Sequence, residues 1–80
     1  MEQLARGTVV RSAAGRDKGG FFVVLSVEGG YAYLCDGKRR PLDRPKKKKQ
    51  IHLAATNTVV PDQSMETNRE IRKALSGFYR

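Results

Sequence analysis

Lys38, Arg39, Arg40, Arg44 and the unbroken run Lys46-Lys47-Lys48-Lys49 place eight cations in a segment of twelve residues that holds one acid, Asp43, for a local charge of +7. The chemistry open to such a segment is capture of a polyanion. Lysine supplies a compact point charge, whereas the arginine guanidinium is a planar fork that grips phosphate or stacks on a base. Phosphate positioning is therefore assigned to Lys46, Lys47, Lys48 and Lys49, and finer recognition to Arg39, Arg40 and Arg44, with Lys38 at the head of the segment. A lysine run can equally be a solvated loop that serves solubility. Against that, the run lies between two expected strands, and Pro41 and Pro45 stiffen the approach to it. A preset cationic ridge also repels itself unless it meets an anion. Two consequences are expected. Binding falls steeply with salt, with log K changing by about −0.7 to −0.9 for each neutralised phosphate. Replacing Lys46 to Lys49 with serine weakens binding whatever the ligand sequence and leaves the thermal melt nearly unchanged.

A second candidate is the loop Gly15-Arg16-Asp17-Lys18-Gly19-Gly20. Its glycines allow a sharp bend that brings backbone N–H groups near a phosphate, with Arg16 and Lys18 beside them, although it lacks the GxxxxGK[ST] spacing of a nucleotide cradle. Read alone it is a turn, with Asp17 bonding loop N–H groups. His52 falls on the face opposite Ile51 and Leu53, beside the lysines, where it is either plain strand surface or a further contact to the polyanion.

Other chemistry finds little support. One cysteine and one histidine are too few for an internal disulfide or a zinc site, and neither a metal nor a cofactor is expected. Cys35 reads as a small buried hydrophobe, since only Lys38 nearby would lower a thiol pKa. Asp36 and Asp43 belong to turns, and Glu66 and Glu70 to a helix, so no carboxylates pair for acid–base work and no enzyme is expected. Phe22, Tyr31 and Tyr33 read as core aromatics, with base stacking as the rival role.

The elements that must carry these residues are short. Eighty residues allow one small domain. Thr8 to Ser12 is β-branched and ends in a loop from Ala13 to Gly20. Phe21 to Glu28 alternates, with Phe21, Val23, Leu25 and Val27 on one face, as in a strand with one buried side. Glu28-Gly29-Gly30 turns it back into Tyr31 to Cys35. Asp36-Gly37 is a second turn, followed by a proline-ended edge strand over Lys38 to Leu42. A fifth strand is read over Gln50 to Ala55, with Ile51, Leu53 and Ala55 inward. Ile71, Leu75 and Phe78 recur at helical spacing, so a helix is expected from Ser64 as N-cap to a stop at Gly77. The expected fold is mainly β: a five-stranded antiparallel barrel over residues 1–60 with a C-terminal helical extension over 61–80. The full chain carries +8, so nearly all its excess charge belongs to the Lys38–Lys49 segment. The longest apolar run, Phe21 to Leu25, is far too short to cross a bilayer. No basic stretch feeding an apolar one follows Met1, so a cytoplasmic protein without a cleaved leader is expected.

Gly7, Val9, Val10, the series Ser12 to Gly19 and the apolar strand from Phe21 to Val27 resemble a KOW motif: strand, glycine loop, strand. The continuation through Asp36-Gly37-Lys38, Pro45 to Lys49 and His52-Leu53 is similar to the stand-alone bacterial KOW-domain proteins related to the large-subunit ribosomal protein fourteen-e family. The similarity covers about residues 5 to 55. It implies an SH3-like barrel, RNA as partner and association with the ribosome, with Gly15, Arg16, Lys18 and Gly19 as the RNA-contacting turn. A monomer is expected, with contacts to ribosomal proteins as a further implication. The rival reading is a protein adaptor that docks on a ribosomal protein or RNA polymerase through an exposed stripe of Ile71, Leu75 and Phe78. Attachment to anionic lipid ranks last, because lysines alone contribute only about 1 kcal/mol each and no anchor accompanies them.

Overall fold

The computed structural model describes residues 4–79 of the chain. Met1, Glu2 and Gln3, on which the leader argument partly rests, lie outside the described residues, as does Arg80 at the end of the expected C-terminal extension. Five strands form one antiparallel sheet: β1 (Thr8–Ser12), β2 (Phe21–Glu28), β3 (Tyr31–Cys35), β4 (Lys46–Lys49) and β5 (Leu53–Val59), in the order β4-β3-β2-β1-β5. One α-helix, α1 (Asn68–Leu75), follows. The first three strands coincide with the runs of β-branched and aromatic residues, and glycine loops part them.

β4 and β5 occupy opposite edges of the sheet, yet only a 3-10 turn, Gln50–His52, joins them. Five flat strands about 4.8 Å apart would hold those edges about 19 Å from each other, beyond the roughly 14 Å that four residue steps can reach. The sheet must curl. Hydrogen bonds pin the corner on both sides: Gln50 N–H donates to the Gly30 carbonyl (2.9 Å) and Ala13 N–H to the His52 carbonyl (2.8 Å). Among the described residues no ladder pairs β4 with β5, so the curl stays open.

Both faces of the central strands are buried, where alternation along β2 predicts one. Val10, Phe22, Val24, Ala32 and Leu34 pack together on the face that the curl encloses. Val9, Val23 and Cys35 pack on the other face against Val60, Met65, Ile71 and Leu75, so α1 is the lid of a second core. A register shift between Val24 and Ser26 breaks the alternation. Leu25 therefore stays with the helix-covered core while Val27 joins the enclosed one. Each fully buried aliphatic side chain contributes about 1.5–3 kcal/mol, so a small chain gains by using both sides of its sheet.

Three expected elements are corrected. Lys38 to Leu42 is a pair of turns and not a strand; the lysine run itself is the edge strand, paired Tyr31↔Lys49 through Leu34↔Lys46. The last strand starts at Leu53 and not at Gln50, and Ile51, expected inward, is 76% exposed. Ala55 is also exposed and Leu53 half-buried. The helix begins at Asn68. Thr67 is its N-cap, accepting the Glu70 N–H at 3.1 Å, while Ser64 closes a separate 3-10 turn. Gly77 lies in a further 3-10 turn, Ser76–Phe78, beyond the helix end. No helix among the described residues is long and apolar enough to cross a membrane.

Candidate nucleic-acid interface

A strand sends successive side chains to opposite faces, and this divides the four lysines of β4. Lys46 and Lys48 stand beside Leu34 and Ala32 on the enclosed face; Lys47 and Lys49 stand beside Tyr33 and Tyr31 on the outer one. Lys48 is only 9% exposed. Its aliphatic stem lies along the apolar core, and its Nζ donates to the Ala14 carbonyl at 2.6 Å. Lys46 is half-buried, whereas Lys47 and Lys49 are exposed. Lys47 Nζ sits 4.6 Å from the centroid of the Tyr31 ring, a cation–π contact that leaves it facing solvent. The four lysines are therefore not equivalent phosphate contacts, and Lys48 has structural work to do.

The glycine loop between β1 and β2 is closed by Gly19 N–H to the Ser12 carbonyl (2.8 Å) and Ser12 N–H to the Gly20 carbonyl (2.9 Å). Gly15 bends the chain at φ +77°, in the left-handed region that disfavours side chains. The Ala14 carbonyl accepts twice, from the Ser12 hydroxyl (3.1 Å) and from Lys48. Asp17, expected to bond loop N–H groups through its side chain, instead turns its carboxylate to Arg40 Nη2 at 3.5 Å; its backbone carbonyl takes the Gly20 N–H. Arg16 and Lys18 point outward, and Gly19 is half-buried.

The connector from β3 to β4 is equally well defined. Asp36 Oδ1 accepts the N–H groups of Lys38 and Arg40, both at 2.9 Å, and this side-chain turn lifts Lys38 and Arg39 into solvent. Arg40 folds back, half-buried, with its Nε buried and lacking a hydrogen-bond partner among the described residues. Arg44 ends the next turn, its N–H donating to the Pro41 carbonyl at 2.9 Å, and is exposed. The connector is docked on α1: Leu42 N–H donates to Asn68 Oδ1 (2.8 Å) and Arg72 Nη1 to the Gly37 carbonyl (2.7 Å). Gly37, at φ +79°, touches the helix so closely that a Cβ there would collide with the Asn68 carbonyl.

Two cations of the expected site thus hold the other parts in place. Lys48 ties β4 to the glycine loop, and Arg40 ties the connector to the same loop. Arg16, Lys18, Lys38, Arg39, Arg44, Lys47 and Lys49 remain as its exposed set. His52 is half-buried in the corner turn while Ile51 faces outward, the reverse of the strand pattern expected there. Of the three aromatics, Phe22 is core at 3% exposure, Tyr33 is half-buried and Tyr31 is exposed under Lys47. Cys35 is fully buried; burial, reinforced by the Asp36 carboxylate and opposed by Arg6, pushes its thiol up to about 11. Arg72 and Lys73 adjoin the connector, a placement that only the docking of α1 reveals, since in sequence they read as the basic end of a helix. Among the described residues no three histidines, cysteines or carboxylates gather as a metal site. No family model matches this chain, and no curated protein matches it in sequence.

Proposed function

We propose that this chain is an RNA-binding module that grips the phosphate backbone of structured RNA, that its curled sheet is an SH3-like barrel of the KOW type, and that it works in the cytoplasm on the ribosome. One observation carries the binding claim. Seven exposed cations sit on three segments, the glycine loop, the connector and β4, and Lys48 and Arg40 lock those segments to one another. Among the described residues the ion pairs are Arg6–Asp62 and Arg40–Asp17, so none of the seven is neutralised by a described acid. Held on a rigid frame and left unpaired, they form a field that a polyanion relieves. Lysines on the β4 edge also discourage a second strand from pairing there, which favours a monomer. The ribosomal assignment rests on the sequence resemblance through the glycine loop and the lysine run.

The adaptor reading lacks a comparable observation. Ile71 and Leu75 are 0% and 2% exposed against the sheet and Phe78 is packed beside Phe21, so the stripe that would greet a partner is already covered. Crosslinking in cells, followed by sequencing of the attached RNA, tests the proposal. Ribosomal RNA enriched around discrete positions is the expected result; recovery of no RNA above background overturns it.

A further inference from the structure

Two grooves meet at Tyr79. One, of about 810 Å³, runs between Lys38 on the connector and Arg72, Lys73 and Ser76 at the end of α1. The other, of about 250 Å³, runs between Arg16 and Lys18 of the glycine loop and Arg39. Tyr79 and Asp36 wall both. Six cations therefore surround one aromatic ring. The acids among them are already engaged: Asp36 Oδ1 holds two backbone N–H groups, and Asp17 faces Arg40.

Tyr79 is 58% exposed, yet its ring is fixed in orientation. Its hydroxyl accepts the Phe21 N–H at 2.7 Å, and it stands edge-on to the Phe21 ring with centroids 5.4 Å apart. A ring whose pose is set before the ligand arrives loses little freedom on stacking. A flat apolar face flanked on both sides by cations suits a nucleobase with its two neighbouring phosphates better than it suits a phosphate alone. A base within a duplex has both faces covered by its neighbours, so only an unpaired base can use the platform.

We propose that Tyr79 stacks on an unpaired base of a single-stranded or bulged RNA segment, with Arg16, Lys18 and Arg39 taking phosphates on one side and Lys38 and Lys73 on the other. The proposal rests on the RNA-binding reading above and adds to it the form of RNA preferred. Arg72 acts as a positioning residue, because its Nη1 holds the Gly37 carbonyl and with it the turn that carries Lys38 and Arg39.

The test compares binding of the full chain, by fluorescence anisotropy, to a uridine-rich RNA strand of about twelve nucleotides carrying one central 2-aminopurine and to a blunt RNA duplex of the same length. The strand is expected to bind tighter than the duplex and its 2-aminopurine emission to fall on binding. Tyr79→Ala should weaken strand binding about 5- to 150-fold, the equivalent of one base–aromatic stack, abolish the quench and leave the salt slope unchanged. Tyr79→Phe keeps the ring and should retain most of the affinity. Should Tyr79→Ala fail to fold, Lys73→Gln supplies the second arm, lowering the salt slope for the strand by about 0.7. A folded Tyr79→Ala that binds and quenches like the parent, an unchanged slope in Lys73→Gln, or a preference for duplex overturns the proposal. If both RNAs bind equally and Tyr79 is indifferent, the backbone-gripping function stands and this inference falls; if neither binds, both fall.

Discussion

Lys48→Met isolates the one lysine of β4 that the fold has claimed. Methionine keeps most of the stem beside Ala32 and Leu34 and removes the ammonium that donates to the Ala14 carbonyl at 2.6 Å. A hydrogen bond from a charged donor contributes about 1.5–3 kcal/mol. Part of that is returned, because a half-desolvated cation no longer has to be held at 9% exposure, and because the Ala14 carbonyl keeps the Ser12 hydroxyl. A net loss of about 1–2 kcal/mol follows, which for a domain of this size lowers Tm by about 4–16 °C. Lys47→Met and Lys49→Met remove exposed charges and should stay within about 0.5 kcal/mol of the parent. Thermal and urea unfolding of the three single variants, with hydrogen exchange across the glycine loop, read the difference. Faster exchange between Gly15 and Gly20 in Lys48→Met alone is the accompanying sign. Equal melting of all three variants would refute the reasoning and return Lys48 to the solvent-facing set.

Two further outcomes follow from buried groups. Cys35, whose thiol titrates only at about 11 against an ordinary 9.0, should resist thiol reagents at pH 8 until the chain unfolds; because the unfolded thiol ionises first, stability is full below pH 9 and declines as pH rises towards 11. Rapid native-state modification would contradict its burial. Gly37→Ala should destabilise by at least about 2 kcal/mol, through a left-handed φ and a collision with the helix backbone, whereas Gly30→Ala, with open space around it, should be nearly neutral in the same urea titration.

The parts of this fold governed by local pattern were readable from residues alone. Thr8–Ser12, Phe21–Glu28 and Tyr31–Cys35 announce themselves through β-branched and aromatic runs parted by glycines. β4 does not, because four lysines have little strand propensity; the ladder offered by Tyr31 to Leu34 makes a strand of them. Alternation then sorts them, and no count of charge could show that Lys48 and Arg40 turn inward while their neighbours face water. The helix start was legible but misplaced. Thr67-x-x-Glu70 has the sequence pattern of a capping box, a signal that Ser64-x-x-Thr67 lacks, and Thr67, accepting the Glu70 N–H, outweighs the earlier serine. The second core was half-visible, since Phe22 and Val24 are as apolar as Phe21 and Val23; what covers each face depends on the curl and on where α1 docks. The same docking brings Arg72, Lys73 and Tyr79 beside residues more than thirty positions away, and no local pattern encodes that meeting.

The central claim is that exposed cations on a locked frame neutralise phosphates, and the salt dependence of RNA binding tests it most directly. With all seven engaged, log K against log salt should fall with a slope of about −5 to −6. Replacing Lys47 and Lys49 together with glutamine should reduce that slope by about 1.4–1.8 at unchanged stability, whereas Lys48→Gln should leave the slope alone and lower the melt. A slope near zero, or one indifferent to Lys47 and Lys49 yet responsive to Lys48, would contradict the account.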